Sequence, residues 1–438
     1  MSHVHIPSEI PIRYLQRSKT WDNIVVGMIV VGLASFIVAL TQDPDRAWQA
    51  YVSNWLFFTA IAMGAMLLTV ATWITKAKWN WSVRRVSLAF VAFLPISFVL
   101  MLPMLGLGES FFPWIAEMAH DPILQKKAAY LNLPFLITRN VVGVIVLFGM
   151  SLYFAYLALR PDMAHAKADH GAQGEGRASR ARWHERLSEG WLGQDEEEDR
   201  SYHRMTTMAP VFVMVYAGVL SIIAFDWVMS LEPHWYSTMM GPWFFMGAFW
   251  GGITATAIAV TFLKASDNDL DKAMGRSQLH DLGKLTFAFS VFWAYLFFAQ
   301  YLVIWYGKLP WEQAWIIRRS EAPFGAWSLL TIITCFVIPF AGLIGRKAKM
   351  NPSWLRGVGF VILAGLWLEK YLMVTPALYH DGPAVTIWWP LIGLMFLGLF
   401  LGALRWFYAT FPVIQIWQPK PDPEMVEAEL VGQSAEVA

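Results

Sequence analysis

Charge is scarce in this chain. Only 15% of its 438 residues are Asp, Glu, Lys or Arg, and 57% are hydrophobic; soluble domains carry about 25% charged residues. Cysteine is nearly absent, with Cys335 alone. An iron–sulfur cluster needs about four thiolates and a c-type haem needs C-x-x-C-H, so neither is expected here. Histidine is missing where a membrane haem would need it: none of the ten falls in the middle of an apolar run. No metal site is expected in the chain, and any redox metal belongs to a partner. A net charge of +1 gives no reason to expect a nucleic-acid partner. The polar N-terminus "MSHVHIPSEIPIRYLQRSKTWDN" holds no apolar core, so it reads as lacking a cleaved signal peptide.

What is present is hydrophobic length. A run of about 20 apolar residues crosses a bilayer as a helix. Ten such runs occur, at 22–42, 51–75, 86–107, 134–159, 210–231, 242–263, 283–306, 324–345, 354–374 and 385–408. The expected fold class is therefore all-α, a polytopic membrane protein with about ten transmembrane helices. Residues 1–21 precede the first four spans (22–159), a polar segment follows at 160–209, and six further spans (210–408) lead to a tail at 409–438. The polar segment reads as a solvated linker with one short surface helix, a docking element being the rival reading. The tail after Pro419 reads as flexible. Pro95, Pro103, Pro339 and Pro390 are expected to kink helices inside a bundle, where neighbours satisfy the freed carbonyls.

Lys and Arg set orientation. One side carries 25 of them and the other 7; with the long 160–209 segment discounted the ratio is 17 to 7. Both termini are therefore expected in the cytoplasm.

Three weak matches occur in one order. "NWLFFTAIAMGA" of span 2 aligns with "PWFFMGAFWGGI" of span 6, pairing Trp55 with Trp243, Ala60 with Ala248 and Gly64 with Gly252. Pro113–Trp114 after span 3 aligns with Pro310–Trp311 after span 7. "FDWVMSLEP" ending span 5 aligns with "LEKYLMVTP" ending span 9, which sets Asp226 opposite Glu369. Spans 2–5 and 6–9 are thus expected to be two parallel-repeat four-helix bundles, flanked by spans 1 and 10.

A carboxylate at a helix centre in a membrane costs about 2.5–3.5 kcal/mol on insertion scales. Asp226, Glu369 and Lys370 share this problem at one depth; Glu109 and Arg139 lie near the same surface, and Glu232 and His234 follow span 5. "HDLGK" places His280, Asp281 and Lys284 within one turn at the opposite surface, as a helix cap or a proton entry. Adjacent helical residues point about 100° apart, so Glu369 is expected to face its bundle while Lys370 reaches Asp226. Two readings stay open for these groups: static ion pairs, or stations of a proton path or quinone-adjacent site. The G-x-x-x-G matches Gly247–Gly251 and Gly398–Gly402 suit close helix packing. The aromatic run 292–306 suits a quinone or lipid groove, and "TIWWP" (386–390) an interfacial belt.

The stretches "FDWVMSLEPHWYSTMMGPWFFMGAF", "HDLGKLTFAFSVFWAYLFFAQYLVIWYGKLPWE" and "NWLFFTAIAMGAM" followed by "RR" resemble the ActF-type membrane subunits of bacterial alternative complex III, a quinol:electron-acceptor oxidoreductase within the wider NrfD/PsrC-like group. The resemblance covers nearly all of the apolar chain. It implies two four-helix bundles with flanking helices in the bacterial inner membrane. It also implies partner subunits: a multihaem cytochrome and an iron–sulfur protein, which would hold the haem and the clusters, and an ActC-like paralogue. The paralogue's quinol site is associated with an acid and a histidine inside a bundle. The first bundle here has no mid-span histidine, so the resemblance implies a scaffold with a proton route rather than the main quinol-oxidising subunit. Membrane lipid or quinone remains the only small ligand expected. The rival class is a stand-alone proton- or ion-coupled secondary transporter using Asp226, Glu369 and Lys370.

Overall fold

The structure, a computed structural model, describes residues 6–7, 9–168, 177–379 and 382–419. The tail after Pro419, read above as flexible, lies outside the described residues. The chain is 80% helical with no strand among the described residues. Ten helices are long and apolar enough to cross a membrane, which makes this a multi-pass membrane protein: Lys19–Gln42, Pro44–Ile74, Arg84–Gly106, Leu133–Ala166, Gln194–Leu231, Met240–Ser266, Arg276–Gly307, Gly325–Leu343, Pro352–Leu378 and Trp388–Thr410, called spans 1 to 10. The surface carrying the start of span 1 is called the N-face, and the other the far face.

Span 2 is central and span 1 peripheral: 89% of the apolar window of span 2 is buried by protein, against 17% for span 1. Spans 2–5 pack together, as do spans 6–9. The two groups meet reciprocally, span 2 against spans 6 and 9, and span 6 against spans 2 and 5. Spans 2 and 6 run in the same direction, because an even number of crossings separates their starts. At their crossing the aligned glycines meet. A Cβ added to Gly64 would lie 1.8 Å from the Ala248 carbonyl oxygen, and one added to Gly252 would lie 2.0 Å from the Ala65 nitrogen. Small residues here let backbones touch, which is the packing device available when lipid is as apolar as the side chains. Spans 1 and 10 pair outside the bundles, with Gly32 against Met395 and Gly398 against Ile29. The Gly398–Gly402 match therefore marks a true close crossing.

Proline acts as expected in part. Span 3 is broken into α and 3-10 pieces, with Pro95 and Pro103 each in the first turn of a new piece. Span 8 carries a π-turn at Ile333–Val337 directly before Pro339. Pro390 makes no kink: it lies in the first turn of span 10, where the missing N–H has no helical partner to lose. Span 5 begins at Gln194, well before its apolar run, and carries Pro210 inside it. The polar segment is also less solvated than its composition indicates. Arg160 grips Glu197 at 2.7 Å, and the helix Arg177–Leu187 packs on span 10 through Trp183. Nearby, Asp162 accepts from Arg85 at 2.6 Å and from the backbone N–H of Trp417 at 2.8 Å, pinning the end of the described chain to the N-face.

Substitution at the central crossing tests this packing. Gly252→Ala must push two backbones apart and is expected to cost about 1–3 kcal/mol, seen as a lower Tm in detergent. Gly27→Ala, which meets nothing within 4 Å, is expected to change stability by no more than about 0.5 kcal/mol. Equal effects from the two would overturn the packing account.

Candidate functional site

Two acidic sites lie toward the far face, one in each bundle. In the first bundle, Asn132 caps span 4 by accepting from the Phe135 N–H at 3.0 Å. That cap sets Arg139 and Asn140 two turns into the helix, facing the last turn of span 5. Asp226 is fully buried there. Its Oδ2 accepts from Arg139 Nε at 2.7 Å and from Asn140 Nδ2 at 2.5 Å. Its Oδ1 accepts from Arg139 Nη2 at 2.5 Å and from the Tyr130 hydroxyl at 3.1 Å. A carboxylate offers about four lone-pair sites, and all are taken. The partners are themselves fixed. Arg139 lies over the Tyr130 ring at 3.8 Å and donates to the Tyr130 carbonyl, while Trp227 Nε1 donates to Asn140 Oδ1 at 3.1 Å. A proton arriving at Asp226 would have to displace a donor.

The second site differs. Glu369 is 2% exposed on span 9. Its Oε1 accepts from Trp293 Nε1 of span 7 at 2.7 Å, and its Oε2 accepts from Lys370 Nζ at 2.5 Å. Two donors leave lone pairs over. Lys370 lies over the Phe244 ring at 4.6 Å, and its only further hydrogen-bond partner among the described residues is Met373 Sδ at 3.8 Å. Lys370 therefore pairs with its own neighbour and not with Asp226 across the bundles. The 100° offset is overcome because the four-carbon lysine stem is flexible and can fold its ammonium back along the helix.

Glu369 also borders a cavity of about 370 Å³ between spans 6, 7, 8 and 9 and the helix Pro310–Ser320. Arg319 of that helix closes the far-face end. It donates to Glu232 Oε1 at 2.8 Å, to Leu372 O at 3.0 Å and to Trp315 O at 2.8 Å. Burial pulls the Arg319 guanidinium below its usual range, and Glu232 opposes this. Further out, His234 Nε2 meets Asp121 Oδ2 at 2.5 Å.

The remaining candidates are dispersed. Glu109 is exposed at the end of span 3 and joins neither site. His280 and Asp281 sit at the N-face, where Asp281 pairs with Lys284 at 2.6 Å. They cap nothing, since span 7 starts at Arg276 after Gly275. Thirteen residues separate His280 from Trp293, which is about 20 Å of helix. The "TIWWP" tryptophans are not a simple interfacial belt, because Trp389 is buried and stacked on Trp367 at 4.0 Å. Sequence reasoning missed Asn140 and Tyr130, and it named Trp293 only as part of the aromatic run 292–306, not as a partner of Glu369. Asn140 was readable as a second polar residue beside Arg139 in an apolar run; Tyr130 carries no signal without tertiary structure. Among the described residues no group of three or more His, Cys, Asp or Glu side chains could hold a metal ion. No protein-family model and no curated protein sequence matches the chain.

The first site makes a stability prediction. Arg139→Leu strands a buried carboxylate and is expected to cost about 3–5 kcal/mol, read as a collapse of detergent-stable folded protein. Adding Asp226→Leu should restore a measurable part of it. A double variant no more stable than Arg139→Leu alone would show that the charge pair is not what the single change breaks.

Proposed function

We propose that this chain is an ActF-type membrane subunit of alternative complex III, a quinol:electron-acceptor oxidoreductase of the bacterial inner membrane. In this reading both termini are cytoplasmic, by the excess of Lys and Arg on the N-face loops. Its partners are a multihaem cytochrome and an iron–sulfur protein, which carry the haem and clusters, together with an ActC-like paralogue. The chain acts as a scaffold with a proton route and not as the main quinol-oxidising subunit. The sequence resemblance motivates the assignment, and one structural observation supports the division of labour. The two aligned acids are held differently, Asp226 with every lone pair occupied and Glu369 with capacity left beside a cavity. Asp226 then anchors spans 4 and 5, and Glu369 with Lys370 is the pair that exchanges protons. The Glu369–Lys370 pair at the cavity would serve equally in a stand-alone ion-coupled transporter, so isolation of the native protein separates the two readings.

Purification from native membranes is expected to bring down haem- and cluster-bearing partners with the chain. A functional homo-oligomer that moves ions in liposomes would sink the subunit reading. On the assembled complex, Glu369→Gln is expected to change the protons released per quinol oxidised, whereas Asp226→Asn should keep the wild-type ratio in whatever complex survives assembly. A wild-type ratio for Glu369→Gln would end the proton route through the second bundle.

A further inference from the structure

We propose that the N-face end of the seam between spans 7 and 8 is a binding site for an anionic glycerophospholipid of the surrounding bilayer. Arg346 and Lys347 hold its phosphate, and its acyl chains lie against Phe340 and Ile344. The inference rests on this corner of the fold and not on the subunit assignment.

The cations come from two separate stretches of sequence, and the fold gathers them. "HDLGK" supplies His280 and Lys284 in the first turns of span 7. "RKAKM" forms the short helix Arg346–Met350 after span 8, which packs back onto span 7. The approach is close, since a Cβ added to Gly283 would lie 2.7 Å from the Lys349 Cβ. The ring of His280 thereby comes within electrostatic reach of Lys284, Arg346 and Lys349.

Their commitments differ. Lys284 pairs with Asp281 at 2.6 Å. Lys349 is buried, with its Nζ over the Phe287 ring at 4.9 Å and donating to Ile344 O at 3.1 Å. Arg346 and Lys347 are exposed, and neither has an ion pair among the described residues. Asp281 is the one carboxylate paired with any of these four cations among the described residues. Like charges held together repel, so a bound anion relieves the corner. The guanidinium of Arg346 suits a phosphate in particular, because its planar fork matches two phosphate oxygens.

The wall beneath decides where that phosphate comes from. Phe340 and Ile344 are 39% and 61% exposed at the end of span 8, and Phe340 stacks on Phe287 of span 7 at 5.6 Å. Trp354, exposed at the start of span 9, donates its Nε1 N–H to Gly342 O at 2.8 Å. Tryptophans collect at headgroup level, which sets the cations at that level and the apolar wall at the level of the acyl chains. A soluble phosphate or an acidic peptide would use the cations and leave the wall idle. A zwitterionic lipid would use the wall but bring an ammonium of its own to the cations. An anionic phospholipid uses both, and basic pockets between membrane helices recognise such headgroups.

The test uses the full chain purified in detergent, with native mass spectrometry reading bound lipid. The probes are dioleoyl phosphatidylglycerol and dioleoyl phosphatidylcholine, and the first is expected to bind more tightly. Arg346→Gln combined with Lys347→Gln should weaken phosphatidylglycerol binding about ten- to thirtyfold and leave phosphatidylcholine binding and the Tm unchanged, since both side chains are exposed and unpaired. Arg182→Gln combined with Arg186→Gln removes the same charge from exposed positions elsewhere on the N-face and should leave phosphatidylglycerol binding as it was. Equal binding of the two lipids, or unchanged phosphatidylglycerol binding in the Arg346/Lys347 variant, would overturn the proposal. So would an equal loss in the Arg182/Arg186 variant, which would assign the preference to the surface as a whole. Displacement of the lipid by inorganic phosphate would overturn it too, by identifying a soluble-anion site; this arm needs no variant and decides the matter if a substitution lowers the Tm.

Discussion

An ionised side chain in hydrocarbon must receive from the protein every hydrogen bond it gives up to water. That constraint organises both bundles. At Asp226 it draws Arg139, Asn140 and Tyr130 from span 4 and the loop before it onto the end of span 5. At the N-face it draws Arg160 onto Glu197 and Arg85 onto Asp162, which also accepts from the N–H of Trp417, although Arg85 Nε and Nη1 have no acceptor among the described residues. Each pair joins segments far apart in sequence. Such pairs are a weak source of net stability, since desolvation offsets much of their attraction, but they penalise wrong packings heavily.

Between these ionic ends the middle of the protein is held by closeness. Spans 2 and 6 carry glycine where they cross, and the repeat makes each glycine meet the other's helix. Packing replaces the hydrophobic effect here, because lipid offers side chains no penalty for separation. With the centre fixed in this way, differences between the halves fall at the far-face ends, where spans 5 and 9 carry their acids. One end is closed by four donors; the other is left partly open beside aromatic walls.

Much of the fold was legible from residue types. Ten apolar runs dictate ten helices because backbone groups in lipid have no other way to be satisfied, and parity of crossings makes the repeat parallel. Less was legible at the edges. The start of span 5 was invisible because charged residues form helix as readily as apolar ones, and Glu197 looked solvated within "QDEEEDR" although it is buried against Arg160.

The sites divide in the same way. The sequence by itself placed Asp226, Glu369 and Lys370 at one depth near one surface, with Arg139 close by, since a charge in hydrocarbon is costly without a partner. Only the tertiary structure decided who pairs with whom, because partner choice depends on helix rotation and on the reach of a flexible stem, neither of which is written in spacing. It also decided that two aligned acids are not equivalent. Four donors converge on Asp226 from one neighbouring span and the loop before it, whereas Glu369 meets one indole, its own lysine and a cavity. Donor number is a property of what lies across the gap, and no local sequence records it.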